Sequence, residues 1–329
     1  MGENKRILFS STIYTSFIKE DFNILEKHFV VHRIIGSGFI HIIKLLFSVP
    51  KAEVTFTWFA SVYSAFVVFF SRLFGKKSVI VIGGVDVADY KEINYGIWLS
   101  WWKSKFVRYA IRNADKILSV DPFLIAEAKR LANYDGKNIV YLPTGYDYNF
   151  WKPEGKKEDY ILSVGACEDE WRMMKKGFDK LIEAAVELPE IQFKIIGIKE
   201  ELFKKIKPYL PKNVEVITFV ERETLLKYYQ KAKVYTQISF TEGLPNSLCE
   251  AMLCECIPVG TNRGGIPTGI GKTGFIIEYG DIGAMKEAFR NAIKLPSETG
   301  KKARQHVVEN FPIHKRESSL KAIIQDLTK

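Results

Sequence analysis

Cysteine is scarce in this chain: its 329 residues hold four, Cys167, Cys249, Cys254 and Cys256, too few for the disulfide framework of a small secreted fold. The Cys254-Glu255-Cys256 spacing does not suit a zinc knuckle, so the thiols read as small apolar core residues. There is no His cluster, Asp-x-Asp pair or carboxylate cage, and Glu168-Asp169-Glu170 reads as a solvated loop, so no metal site is expected. A basic tail, zinc-finger spacing and a single-strand aromatic motif are all missing, which argues against nucleic acid as a partner. Internal repeats and low-complexity tracts are absent too. The longest apolar stretch, 54 to 70, approaches the minimum for a spanning helix. Its first part, Val54-Thr55-Phe56-Thr57-Trp58-Phe59, is rich in β-branched and aromatic residues, so the stretch reads as a buried strand followed by a separate helix. Lys5-Arg6 precedes only the short run Ile7-Leu8-Phe9, a first strand rather than a secretory leader, and a cytoplasmic protein is expected.

What is present is ordinary for a globular protein: 47% hydrophobic and 26% charged residues, which exclude disorder, collagen and coiled coil. The net charge of +10 is spread along the chain and favours anionic partners. Short β-type runs (7–10, 30–34, 54–59, 78–82, 117–120, 139–142) alternate with helical ones (17–28, 38–48, 61–74, 97–113, 122–132). Alternation of this kind specifies βαβ units and a doubly wound parallel sheet. The segment 146–160, with Pro153, Gly155 and a charge run, breaks the pattern as a linker does. Alternation then resumes with strands at 160–164, 192–196, 214–219, 234–239 and 257–259 and helices at 176–187, 200–207, 222–231 and 246–254. The expectation is an α/β chain of two consecutive Rossmann-like domains facing an interdomain cleft, with ligand at the carboxyl ends of the strands.

The most informative window is 239–270. A strand ends, Glu242-Gly243-Leu244-Pro245 turns, and a helix starts near Asn246, with Pro and Asn as start signals. The free amides and dipole of such a helix start form an anion site. Glu242 lies just before it and Glu250 about one turn inside, so a diphosphate there would have a carboxylate on each side to accept sugar hydroxyls. An ordinary solvated acidic helix start is the alternative.

The E-x7-E spacing, Glu250-Ala251-Met252, Ile257-Pro258-Val259 and Gly264-Gly265 resemble the signature of glycosyltransferase family 4, whose fold is GT-B. The likeness extends through Pro143-Thr144-Gly145-Tyr146-Asp147 with Phe150 and Pro153, Leu162-Ser163-Val164-Gly165, Lys176-Gly177-Phe178, 228–234 and Thr273-Gly274-Phe275. It covers about 140–290. The resemblance implies an N-terminal acceptor domain over 1–147, with a final helix at about 313–329 packing back on it, and a C-terminal donor domain over 148–312. It further implies a retaining, metal-independent glycosyltransferase moving a sugar from a UDP- or GDP-sugar to a glycan or lipid-linked acceptor. The nucleotide-sugar is a substrate and no cofactor is needed. In such an enzyme Glu242 contacts the donor sugar, and Gly243, Leu244, Pro245 and Asn246 hold sugar and phosphate. Glu250 binds the ribose, Lys176 neutralises the diphosphate, and Gly165 lies in the donor loop. A nucleotide-sugar epimerase of the same fold and a non-catalytic sugar-nucleotide-binding protein are the alternatives.

The chain also departs from the family pattern. Ala166 stands where an arginine usually follows Val-Gly, leaving Arg172 or Lys175 to supply that charge. Thr268 replaces the acid after Gly-Gly-x-Pro, Ser10-Ser11-Thr12 replaces a glycine pair, and Gly83 replaces the His of His-Gly-x-Asp. Asp86 then either faces the acceptor hydroxyl or orders a tight turn. The 97–108 region interleaves Trp98, Trp101 and Trp102 with Lys103, Lys105 and Arg108. This composition fits peripheral contact with the cytoplasmic membrane face and fits equally a core-facing aromatic stripe with a wet basic back.

Overall fold

The computed structural model describes residues 5–329. The chain forms two units, one running to Gly145 and resuming at Ile313–Lys329, the other Tyr146–Pro312. The first contains β1 (Arg6–Ser11), β2 (Val30–Ile35), β3 (Val54–Trp58), β4 (Lys77–Ile82), β5 (Lys116–Ser119) and β6 (Ile139–Tyr141). They lie in the order β2-β1-β3-β4-β5-β6 and every pairing is parallel. All of β3 is buried, as is β4 after its first residue, whereas the edge strand β2 is largely exposed. A strand covered on both faces by helices reads as a near-continuous run of apolar and β-branched residues. The stretch weighed as a membrane span is thus β3 followed by the helix Val62–Leu73, and among the described residues no helix is long and apolar enough to cross a membrane.

The final helix, Ile313–Leu327, packs on Ser16–His28 and is locked by Arg316, which is 3% exposed. Its guanidinium bonds both oxygens of buried Asp21 at 2.5 and 2.6 Å and donates to the carbonyls of Leu142 and Pro143. Trp58 Nε1 donates to the same carboxylate at 2.9 Å.

The second unit contains β7 (Glu158–Cys167), β8 (Gln192–Ile198), β9 (Val214–Ile217), β10 (Ala232–Gln237), β11 (Ile257–Thr261) and β12 (Phe275–Ile277), in the order β12-β11-β10-β7-β8-β9. All are parallel. Phe178, Leu181, Phe193, Ile195, Val259 and Phe289 are among its buried core residues. Each sheet has one switch point where successive strands leave in opposite directions: between β1 and β3 in the first, between β7 and β10 in the second. Ligands of open parallel sheets bind outside the carboxyl ends at such points.

Several elements differ from the sequence reading; β12 and the helices Ile282–Lys294 and Gly300–Asn310, for example, are not among those expected. The helix expected over 176–187 runs Phe178–Val186, and a short helix, Glu170–Lys176, precedes it, starting where Glu168-Asp169-Glu170 reads from sequence as a solvated loop; Gly177 at φ +72° separates the two. A Cβ there would sit 2.1 Å from the Ile238 carbonyl oxygen, so glycine permits both the left-handed turn and the close approach to the end of β10. The helix at 97–113 starts only at Trp101, after a 3-10 turn over Ile97–Leu99. The linker is shorter than expected: β7 begins at Glu158, and Tyr146 bridges to Pro312.

Candidate active site

At the β7/β10 switch point the second unit brings together two of the expected residues. Lys176 Nζ lies 2.6 Å from Glu242 Oε1, with side chains 23% and 17% exposed. Lys176 ends the short helix that Asp169 caps through the Arg172 amide. Its stem runs beside Gly165, where a Cβ would touch Lys176 Cδ at 3.3 Å. Glu242 is held by its own backbone as well: its carbonyl accepts from Gly265 N at 3.0 Å. A Cβ on Gly264 (φ +55°) would lie 2.1 Å from that carbonyl oxygen. The Gly-Gly pair therefore serves the acid by letting a second loop close on it. Burial alone would raise the Glu242 carboxyl, but the Lys176 and Lys175 ammoniums and hydrogen bonds from Lys176 and Ser239 outweigh it and hold the pKa below the usual range.

The helix Asn246–Leu253 begins between the two acids. Pro245 occupies the cap position and no side chain caps the first turn, contrary to the Asn or Ser cap expected. Helix geometry leaves those first amides without intrahelical partners, facing the end of the sheet. Asn246 instead accepts from Tyr146 OH at 2.9 Å. Leu244 is buried, so its side chain is part of the core. Glu250 accepts from Tyr229 OH at 3.3 Å. Burial pushes its carboxyl up to about 7, against the pull of Arg222 and of the Tyr229 bond. Arg222 is itself stacked on Phe150 at 4.3 Å and Trp151 at 5.2 Å. This raised carboxyl at the switch point makes Glu250 a candidate binding residue.

Beneath these groups runs a buried polar chain that the sequence reading missed. Tyr235 OH donates to Gln237 Oε1 at 3.0 Å and Gln237 Nε2 to Ser239 Oγ at 2.7 Å. Ser239 in turn bonds Glu242, while Ser247 Oγ reaches Gln237 at 3.1 Å. The available signal was Thr236-Gln237 and Ser239 at the end of an otherwise buried strand, since polar groups inside a sheet core require partners. Arg263 was missed as well; its guanidinium stacks over Phe240 and Tyr279 at 5.1 and 5.9 Å.

Among the remaining expected residues, Arg172 is exposed on the short helix and Lys175 is partly buried, with a pKa lowered by burial and by Lys176 and Arg172. Asp86 belongs to the first unit and is 1% exposed. Its oxygens accept from the amides of Ala60 (3.0 Å), Gly83 (3.1 Å) and Gly84 (2.8 Å). Asp86 thus orders the turn that follows β4, the second of the two roles open to it from the sequence, and burial raises it to about 6. The Gly83 departure has a steric reason, because a Cβ there would meet the Phe59 ring at 2.7 Å. Phe59 itself holds φ +66° just past β3, a strained conformation at the other switch point. Among the described residues no group of His, Cys, Asp and Glu has the spacing of a metal site.

Residues 148–311 match the family described as Glycosyl transferases group 1, nearly the whole second unit. The fold is similar to that of sucrose-phosphate synthase from Thermosynechococcus elongatus, with TM-score 0.81 and 15% identity over 98% of this chain and 99% of that one. It is similar to Anabaena HepE in complex with UDP-glucose, at 0.76 and 14% over 98% and 99%. Lipopolysaccharide outer core galactosyltransferase WaaB superimposes at 0.70 and 13%, again over 98% and 99%. No curated protein sequence matches the chain. Two doubly wound units with these likenesses make the fold GT-B.

Proposed function

The chain belongs to the group 1 glycosyltransferases and transfers a sugar from a nucleotide-sugar donor; from that premise we propose that the donor is a UDP-sugar seated at the carboxyl ends of β7 and β10. One observation carries the reading: Lys176 stands 2.6 Å from Glu242 beside a helix start that no side chain caps. When the diphosphate enters, the Lys176 ammonium exchanges the carboxylate for phosphate oxygens. Glu242, freed from it, accepts hydroxyls of the sugar. Amides from Gly243 to Asn246 and the guanidinium of Arg172 add to the positive field. Glu250, flanked by Tyr229 and Arg222, takes the ribose hydroxyls. Gly165 leaves the space along which the Lys176 stem lies. UDP is favoured over GDP because a protein of the same fold was solved with UDP-glucose.

In the proposed retaining reaction the bond from the anomeric carbon to the β-phosphate oxygen breaks. The acceptor oxygen bonds the same face of that carbon, and its proton passes to the departing phosphate oxygen. The leaving group's charge is met by Lys176 and the helix amides, so transfer proceeds without a divalent ion. Asp86 acts as a positioning residue, gathering the amides of the β3 and β4 ends. The acceptor is a glycan or lipid-linked glycan reached at the cytoplasmic membrane face, with the 97–108 segment in peripheral contact.

The test is incubation with UDP-, GDP- and ADP-sugars in the presence of EDTA. Slow release of free UDP from a UDP-sugar, lost in Glu242→Ala, is the expected result. Sugar interconversion without release, or nucleotide binding with neither, would overturn the transferase reading. Transfer unaffected by Glu242→Ala would overturn the donor placement. Ala166 and Thr268 give the non-catalytic alternative its only specific support.

A further inference from the structure

Three helices of the first unit, Phe39–Ser48, Val62–Leu73 and Trp101–Asn113, pack side by side, and they leave an unusual amount of apolar surface in water. Phe39 is 75% exposed, Phe47 65%, Leu73 61% and Trp101 73%. Isolated exposed hydrophobics need no explanation, but several large ones on helices that pack together do. The helix Trp101–Asn113 buries only Val107, Ala110 and Ile111, so its aromatic residues are not the core-facing stripe that the sequence also allowed.

Between the second and third of these helices lies an almost wholly apolar groove of about 490 Å³, lined by Ala65, Phe66, Phe69, Lys105, Phe106 and Tyr109. The charge on the three helices has one sign. Segments 39–51, 62–77 and 97–113 contain no Asp or Glu, yet they carry Lys44, Lys51, Lys76, Lys103 and Lys105 besides other cations. Lys105 Nζ rests 4.8 Å over the Trp101 ring and Lys103 Nζ 5.5 Å over Trp102, and neither has a carboxylate partner among the described residues. Aromatic rings with cations on their faces and an apolar slot beneath match the interface of an anionic bilayer, where rings sit at headgroup depth and lysines meet phosphates.

We propose that this three-helix face docks the protein on an anionic phospholipid bilayer, and that the groove takes one acyl chain with Lys105 at the headgroup phosphate. The proposal rests on the peripheral contact inferred above for 97–108. It extends that contact to two further helices and a chain-sized slot, and is independent of the donor chemistry.

The experiment is co-sedimentation of the full chain with vesicles of phosphatidylcholine, with and without phosphatidylglycerol. Binding is expected only with phosphatidylglycerol and declines with salt. Lys103→Gln with Lys105→Gln, both at exposed positions, should weaken it by about 10- to 30-fold, at roughly one decade or less per lysine. Phe69→Glu, which places a charge in the groove, should abolish it, and lipids brominated in mid-chain should quench tryptophan emission in the parent protein but not in this variant. Equal binding to neutral vesicles, or binding that neither variant changes, would overturn the proposal. So would a concentration-dependent dimer that Phe69→Glu dissolves, since the face would then belong to a second copy. A cooperative thermal transition like that of the parent confirms that each variant is folded, and the rise of its Tm with UDP is measured on the same preparations. That rise reports on the donor reading separately, because its loss with vesicle binding intact would fault only the donor site.

Discussion

Glu250 shows how far a single residue is governed by its surroundings. Its carboxyl sits at about 7 because burial disfavours the charge, and Asp86 is raised to about 6 for the same reason. Each binds its proton more tightly folded than unfolded, so each adds stability below the unfolded carboxyl range that is lost as pH rises through the folded value. Glu242, whose pKa is lowered, has the opposite sign and stabilises above its unfolded range. The ligand-free protein should therefore lose stability between about pH 5 and 7. Glu250→Gln should flatten that loss by a few degrees of Tm, read by calorimetry at several pH values. UDP should bind more tightly above pH 7, where Glu250 is ionised and accepts two hydroxyls, and this gradient should vanish in Glu250→Gln. Lys176→Met should lower kcat/KM by about 10²- to 10³-fold, the cost of removing one charge-stabilising group from a transition state. Its Glu242 partner becomes an uncompensated carboxylate, so UDP affinity should fall with it.

Short elements position these side chains. The helix ending at Lys176 can turn into the next only through Gly177, at φ +72° and 2.1 Å from the Ile238 carbonyl once a Cβ is added. Gly177→Ala should cost more than the ~1 kcal/mol of a left-handed alanine, because the backbone of β10 or of the short helix must move. Loss of activity should exceed loss of stability, since the displaced element carries Lys176. The polar chain Tyr235–Gln237–Ser239 beneath Glu242 has the same positioning character. Gln237→Leu should leave the fold intact at a cost of about 1–3 kcal/mol and reduce kcat more than it raises KM, with Gln237→Glu restoring less than the parent bond pattern.

In the whole molecule, the first unit is built from two separated stretches of chain, and the return is fastened by Arg316 on Asp21 at 2.5 Å with both side chains almost fully buried. Removing one partner of such a pair strands the other. Arg316→Ala should destabilise by about 3–5 kcal/mol, a loss visible as an earlier unfolding transition of the first unit in calorimetry. Asp21→Leu with Arg316→Met should recover only part of it: the desolvation penalty vanishes with both charges, but Trp58 Nε1 and the Leu142 and Pro143 carbonyls lose their partners. If the single and double variants unfolded alike, the helix would be held by its apolar contacts at Leu320 and Ile324 rather than by the ion pair.

Much of the architecture was legible in the one-dimensional pattern. Buried parallel strands must be apolar on both faces and helices must repeat with their own period, so β3, β4 and the helix Asn246–Leu253 could be read from local residues. The E-x7-E spacing marked the acids on either side of a helix start in the same way, because a spacing along a strand–turn–helix is itself a geometry. What lay beyond reach depended on neighbours distant in sequence. Asp86 is a turn-ordering group because amides from two strand ends converge on it, Glu250 is hard to ionise because of what covers it, and Gly83 is glycine because the Phe59 ring fills the space. The same holds for Trp101 and Lys105: their alternation with cations fitted a core or a surface equally well. Which face of that helix turns inward is settled by packing, where burial of Val107, Ala110 and Ile111 leaves Trp101 and Trp102 in solvent.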